Sequence, residues 1–118
     1  MEPNKNCIFC RIIKGEINSK NVYEDKNFIG ILDANPKAEG HTIIISKKHF
    51  RNLLDLPNTL GNELFDAIKK ISLKLIDERK AEGVNIVSNN EPVSGQVIFH
   101  THVHIIPRKK DDGLRSIV

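Results

Sequence analysis

Val97-Ile98-Phe99-His100-Thr101-His102-Val103-His104-Ile105-Ile106-Pro107 is the stretch from which the fold can be read. Its apolar and β-branched content fits a pleated, half-buried strand, and side chains on a strand alternate between faces. On that geometry His100, His102 and His104 project from one side, ~6.6 Å from one to the next, with Ile98 and Ile106 flanking them. Val97, Phe99, Val103 and Ile105 are expected to point the other way into a core, with Thr101 the one polar exception. Pro107 lacks a backbone donor and is expected to stop the strand. A single histidine on a strand is ordinarily structural. Three in register on one face of a core strand are not explained by packing, because an apolar interior would have to satisfy every ring nitrogen. Metal ligation and nucleophilic chemistry are the two uses left.

Immediately upstream lies Ser88-Asn89-Asn90-Glu91-Pro92-Val93-Ser94-Gly95-Gln96, a polar loop rich in turn formers. Ser94-Gly95-Gln96 can turn backbone N–H groups towards an anion, and Asn89 can add an amide donor. An imidazole with a pKa of ~6.5 is largely neutral at pH 7 and is a ready nucleophile without a strong base. Neighbouring rings also resist shared protonation, which favours the neutral forms. Most glycine-bearing turns bind nothing, but joined to the histidine row this loop points to phosphate chemistry.

Working outward, Val22-Tyr23-Glu24 and Phe28-Ile29-Gly30-Ile31-Leu32 read as strands joined by a turn at Asp25-Lys26-Asn27. Asp33 to Gly40 breaks regular structure around Pro36, and a third strand is expected from His41 to Ser46. Leu60, Leu64, Ile68, Ile71 and Leu75 share one face of a helix expected from Thr59 to Lys80, a core-covering element without chemistry. Pro57-Asn58-Thr59 is expected to cap its start, with Arg79 and Lys80 near its negative end and Gly83 terminating it. Val84 to Val87 is a fourth strand, and Cys10 to Lys14 a short helical turn ending at Gly15. The order predicts an α+β fold: a mainly antiparallel five-stranded sheet, one long helix and a short N-terminal helix.

The chain has 118 residues, a single domain's length, so 1–118 is read as one domain. Charged residues make up 28% with both signs intermixed and a net charge of +3, which excludes a disordered tail, a collagen-like repeat and a polybasic arm. No nucleic-acid or membrane partner is expected. Nothing approaches the ~18 apolar residues of a membrane helix, and Met1-Glu2-Pro3-Asn4-Lys5-Asn6 has no apolar signal region, so a cytoplasmic location is expected. Cys7 and Cys10 are compatible with zinc, a redox dithiol or two idle buried thiols. A redox pair normally opens a helix in a βαβ setting, which is missing here, so zinc suits them best.

His100-Thr101-His102-Val103-His104-Ile105-Ile106-Pro107-Arg108 resembles the signature of the histidine triad (HIT) family, His-φ-His-φ-His-φ-φ. Cys7-Ile8-Phe9-Cys10 with Arg11-Ile12-Ile13, Gly40-His41-Thr42, Lys47-Lys48-His49 and Gly95-Gln96 are similar to segments of bacterial Hit-type members. The resemblance implies a HIT-like fold and nucleotide chemistry at an α-phosphorus. His102 would attack to form a nucleotidyl-histidine that water hydrolyses, His104 would contact the phosphate and leaving group, and His100 completes the triad. Asn89 and backbone N–H groups near Gly95, Gln96 and Val97 would hold the non-bridging oxygens. Asp33, on its own a turn residue, would grip the ribose hydroxyls. His41, on its own a strand start, would be a supporting fourth histidine.

The resemblance further implies a structural zinc on Cys7, Cys10, His49 and His100, with no metal needed for the chemistry. The implied substrates are purine nucleoside phosphoramidates, such as an adenosine phosphoramidate, or other adenylylated compounds. A dinucleoside polyphosphate hydrolase is the alternative, because Pro107-Arg108 also occurs in that branch; a zinc-stabilised nucleotide-binding module without turnover is another. A homodimer with one continuous sheet is implied, its C-terminal segment near the partner's site. The sequence departs from the pattern at Thr101, an apolar position, and at Val97, where a hydroxyl residue is usual. It has no Trp, and Ser116-Ile117-Val118 lacks an aromatic terminus.

Overall fold

Ile43, Ile44 and Ile45 are all buried although a strand turns successive residues to opposite faces, so both faces of this sheet must be covered. The computed structural model, which describes residues 6–115, meets that demand with a helix on each side. The expectations placed on Met1 to Lys5 and on Ser116-Ile117-Val118 lie outside the described residues.

The elements run α1 (Ile8–Ile13), β1 (Asn21–Glu24), β2 (Phe28–Leu32), β3 (Thr42–Ser46), α2 (Gly61–Asp77), β4 (Gly83–Val87) and β5 (His102–Arg108). The sheet has the order β1-β2-β3-β5-β4 with every neighbouring pair antiparallel. Phe28, Ile44, Val103 and Ile105 face α2, whose Leu64, Ala67, Ile71 and Leu75 complete the main core. Ile29, Ile31, Ile43 and Ile45 form the opposite face and are covered by Cys7, Phe9 and Cys10 around α1. Each such aliphatic side chain contributes ~1.5–3 kcal/mol by leaving water, so neither cover is dispensable. Among the described residues no helix is long and apolar enough to cross a membrane.

The β1–β2 hairpin forms as expected, with the Asp25 carboxylate accepting the Asn27 and Phe28 N–H groups at 3.0 and 2.8 Å. Other expectations need correction. The last strand begins at His102 rather than Val97 and runs through Pro107 to Arg108. Its neighbours decide this: β3 stops at Ser46 so that Lys47-Lys48-His49 can turn away, and β4 stops at Val87, so residues 97–100 run beside neither strand, and Thr101 keeps the Ser46 N–H on its carbonyl at 3.3 Å and places its own N–H on the Phe50 carbonyl at 2.7 Å. Val97 is 82% and Phe99 39% exposed, so neither is a core residue. Beyond Ile105 the β3 ladder has ended and β5 has become an edge, where proline is tolerated.

The ends of α2 also differ. No side-chain cap forms from Pro57-Asn58-Thr59; Asn58–Leu60 winds as a 3₁₀ turn that runs into the helix. The helix closes before Gly83, with Arg79 at φ 61° and the Lys80 and Arg79 N–H groups on the Leu75 and Ile76 carbonyls at 2.9 and 3.0 Å. That pair of bonds is a Schellman closure formed around a residue with a Cβ. At the other end of the chain α1 starts at Ile8 rather than Cys10, and Gly15 follows it at φ 81°.

Candidate functional site

Pairing of β3 with β5 sets Ile45 opposite His102 and Ile43 opposite His104, which puts both histidines on the face covered by α1. Their rings lie 5.3 Å apart. His100 precedes the strand and reaches the same side by a different route, inserted beside Cys7 and Cys10. Phe9 of α1 lies edge-on to His102 at 5.1 Å and to His100 at 5.8 Å. A cavity of about 640 Å³ opens in front of His102 and His104, and Asp33, Asn89, Gly95, Gln96 and Val97 also line it. One wall is apolar, made by Phe9, Ile12, Ile17, Ile31 and Ile43. His41, His49, His100 and the two cysteines are not among its lining residues.

Backbone carbonyls set the tautomers of His102 and His100, and the His41 ring sets that of His104. His102 Nδ1 lies 2.7 Å from the His100 carbonyl oxygen, which can only accept, so Nδ1 carries the hydrogen and Nε2 keeps a free lone pair. His100 Nε2 donates to the Ser46 carbonyl at 2.6 Å, leaving its Nδ1 bare and 3.3 Å from Cys7 Sγ. His41 Nδ1 accepts the Lys37 N–H at 3.1 Å, so His41 Nε2 carries the hydrogen and meets His104 Nδ1 at 3.0 Å. With Nδ1 accepting, neutral His104 is left with Nε2–H as a donor. Burial keeps these rings neutral: it pushes His100 and His104 down to about 4 and lowers His102 and His41.

Asp33 serves two ends. One carboxylate oxygen accepts the Asn35 N–H at 2.8 Å, the turn role, and the other lies 3.4 Å from His41 Nε2. Asp33, His41 and His104 bring ligand atoms close enough to share a cation. The hydrogen on His41 Nε2 argues against that use, because a metal needs a bare nitrogen.

The 88–96 loop is held from a direction that local pattern does not reveal. The Gln96 side chain, 5% exposed, donates to the Arg51 and Ile98 carbonyls at 2.7 and 3.0 Å and accepts from Asn52 Nδ2 and the Glu91 N–H at 3.0 and 2.7 Å. Its amide is thus spent within the chain. The Gly95 and Gln96 N–H groups are also bonded internally, to the Pro92 and Glu91 carbonyls at 3.0 and 3.3 Å. Among the described residues the Val97 N–H and the Asn89 amide carry no such bond, and they are the donors this loop leaves to the cavity. Gly95, at φ 101°, lets the loop close against Asn89: a Cβ there would lie 3.2 Å from Asn89 Nδ2. Arg51, Asn52 and Glu91 were not legible as site residues, since a lone Arg-Asn and a lone Glu forty positions apart form no motif.

Cys7, Cys10, His49 and His100 converge with all four ligand atoms within 4.8 Å of one another, an arrangement that could hold a metal ion. Cys10 Sγ is 3.2 Å from His49 Nδ1 and 3.5 Å from His100 Nδ1. Burial raises the Cys7 thiol above its ordinary value, a cost a bound cation would reverse.

The HIT domain family model matches residues 14–111. The chain belongs to the HIT family. This HIT protein is 41% identical over 118 residues to the Protein hit of Bacillus subtilis, covering 99% of this chain and 81% of that one. It is 37% identical over 115 residues to an adenosine 5′-monophosphoramidase of Candida albicans, covering 94% and 76%. Its fold matches the crystal structure of a zinc-bound histidine triad family protein from Mycobacterium smegmatis with a TM-score of 0.88 at 35% identity, covering 93% of this chain and 80% of that one.

Proposed function

We propose that this HIT protein is a nucleotide hydrolase or transferase that cleaves purine nucleoside phosphoramidates or other adenylylated compounds at the α-phosphorus. The observation that carries this reading is the His102 Nδ1 bond to the His100 carbonyl, which leaves Nε2 as an uncharged lone pair on a ring lining the cavity. A bond from Nε2 to phosphorus forms as the bond to the leaving group breaks; the leaving group departs with the electron pair and takes a proton from solvent. Nδ1–H stays on the His100 carbonyl and shares the positive charge of the adduct. Water then attacks phosphorus, the pair returns to Nε2 and the water proton goes to solvent. The Val97 N–H, the Asn89 amide and His104 Nε2–H stabilise the non-bridging oxygens, a kind of preorganised donor worth several kcal/mol.

The apolar wall from Phe9 to Ile43 suits a purine, and Asp33 the ribose hydroxyls. The relationship to an adenosine 5′-monophosphoramidase supports a phosphoramidate substrate. Arg108, the residue that argues for dinucleoside polyphosphates, spends its guanidinium on Asp112 and Asn85 at 2.8 and 2.6 Å and is not among the cavity's lining residues.

The Cys7, Cys10, His49 and His100 group fits zinc. Tetrahedral zinc with ordinary Zn–S and Zn–N lengths sets sulfur and nitrogen ~3.6 Å apart, close to the three S···N distances of 3.2 to 3.5 Å. When bound, zinc supplies a structural cross-link that holds α1 and its cavity wall to the sheet; the displacement chemistry uses the imidazole alone. A homodimer is favoured by β4, which among the described residues pairs only with β5 and exposes Ile86, and by Phe65, Leu73 and Ile76 exposed on α2.

Rapid quenching with α-phosphate-labelled adenosine phosphoramidate tests the reading. Covalent label on the wild type and none on His102→Ala is expected; nucleotide release without any adduct would overturn the covalent route, and binding without release would leave a nucleotide-binding module.

A further inference from the structure

Glu91 stands at φ 78°, ψ 152°, a strained backbone region that residues with a Cβ rarely enter. It opens the turn Pro92–Ser94 that carries the chain from Asn89 to Gly95, so its conformation sets where both ends of the cavity loop lie. Something must hold it there. Arg51 Nε and Nη2 both donate to the Glu91 carboxylate at 2.9 Å, a forked pair, while Asn52 Nδ2 donates to the same carboxylate at 2.7 Å. The Arg51 guanidinium lies 4.6 Å over the Phe99 ring, which fixes its plane. Asn52 is 2% exposed, and its amide links Glu91 to Gln96. The Glu91 carbonyl in turn accepts the Ser94 and Gln96 N–H groups at 3.1 and 3.3 Å.

We propose that Arg51 and Glu91 form a clamp, keyed by Asn52, that holds the 88–97 segment in the one conformation directing the Asn89 amide and Val97 N–H at the phosphoryl group. All three are positioning residues and none is among the cavity's lining residues. Exposure separates this role from simple stabilisation. The Arg51 and Glu91 side chains are 48% and 42% exposed, and an exposed ion pair adds little to folding free energy. An effect on the reaction that outstrips the effect on stability is therefore the signature of the clamp. Lysine at position 51 cannot replace the fork, because an ammonium makes no bidentate pair with a carboxylate.

The inference rests on the proposed nucleotidyl transfer for its catalytic consequence but not for its structural one, and two readouts keep these apart. Glu91→Gly removes the carboxylate and relieves the φ, and Arg51→Gln removes the fork from the surface side. Both are expected to melt within a few degrees of the wild type. Amide exchange at Gly95 and Gln96 is expected to quicken ~10-fold in each, with exchange in β2 and β3 unchanged. With labelled adenosine phosphoramidate, adduct formation at saturation is expected to fall ~10- to 100-fold while KM changes less than ~3-fold. Arg51→Lys is expected to behave like Arg51→Gln. Unchanged exchange at Gly95 and Gln96 overturns the clamp whether or not the reaction proceeds. So does a wild-type rate of adduct formation in Glu91→Gly, or a rate that falls only with the folded fraction. A wild type that forms no adduct overturns the transfer reading alone, and the exchange result then decides the clamp.

Discussion

Gly95→Ala perturbs the cavity loop at a position where two costs can be separated. The backbone cost comes from φ 101°, where a Cβ meets the neighbouring peptide, and the steric cost from the 3.2 Å approach of that Cβ to Asn89 Nδ2. Together they are expected to remove about 1–3 kcal/mol of stability. For a chain of this length the unfolding entropy is about 0.25 kcal/mol/K, so the melting temperature should fall by about 4–12 °C. The larger effect should be on turnover. The nearest way to relieve the contact is to push the Asn89 amide out of place, and losing one such donor costs about 10²- to 10³-fold in kcat. A double-mutant cycle with Asn89→Ala, read by thermal melts and by release of AMP from an adenosine phosphoramidate, is the assay. In the Asn89→Ala background Gly95→Ala should cost little further activity, since the displaced amide is already gone, while the backbone part of the stability loss should remain. If Gly95→Ala lowers turnover equally in both backgrounds, Gly95 does not act through Asn89, and wild-type turnover in Asn89→Ala alone would remove that amide as a phosphoryl donor.

Acid should weaken the fold through His104, whose pKa falls from an ordinary ~6.5 to about 4 through burial and the neighbouring His102 and His41 rings. A base with a depressed folded pKa is bound to more protons when unfolded, so its stability is full above about 6.5 and is lost as pH falls towards 4; urea melts at pH 7.5 and 5 should differ by about 2 kcal/mol less in His104→Gln than in the wild type. An equal pH dependence in both proteins would show that this ring is not held neutral by the fold. Chelation, or Cys10→Ser, should lower stability by several kcal/mol and abolish stoichiometric zinc by elemental analysis, while label on His102 still forms in the fraction that stays folded. Arg108→Ala should leave the rate of adduct formation unchanged and free Asp112, whose carboxyl Arg108 holds well below the usual range. Ile86→Lys should shift sedimentation from dimer to monomer, and a wild type that sediments as a monomer would remove the β4-edge dimer.

Much of the site could be read from spacing. His102 and His104 share a face because a strand has a period of two, and Leu64, Ile71 and Leu75 face the sheet because a helix has a period of 3.6. Cys7 and Cys10 are three positions apart and near one another in any local fold. Interactions of this kind are short in sequence, so their geometry follows from residue order. The same reasoning misplaced Val97 and Phe99, because whether an apolar stretch extends a sheet depends on what lies beside it, and both β3 and β4 end short of residues 97–100.

What spacing could not supply is the polarity of each ring and the shape of the loop in front of it. Which nitrogen of His102 bears hydrogen depends on the His100 carbonyl, which nitrogen of His100 on the Ser46 carbonyl, and which nitrogen of His41 on the Lys37 N–H. The Glu91 conformation depends on Arg51 and Asn52, about forty residues earlier. The Ser46, Arg51 and Asn52 contacts join residues 39 to 54 positions apart, so tertiary structure alone brings them together, while the His100 and Lys37 contacts are local and depend on how the chain enters β5 and β3. A histidine row marks where chemistry can occur, and the folded chain, by offering a carbonyl to one nitrogen and an N–H to another, leaves His102 with a bare Nε2, His104 with an Nε2–H and His100 with a bare Nδ1 beside the two cysteines.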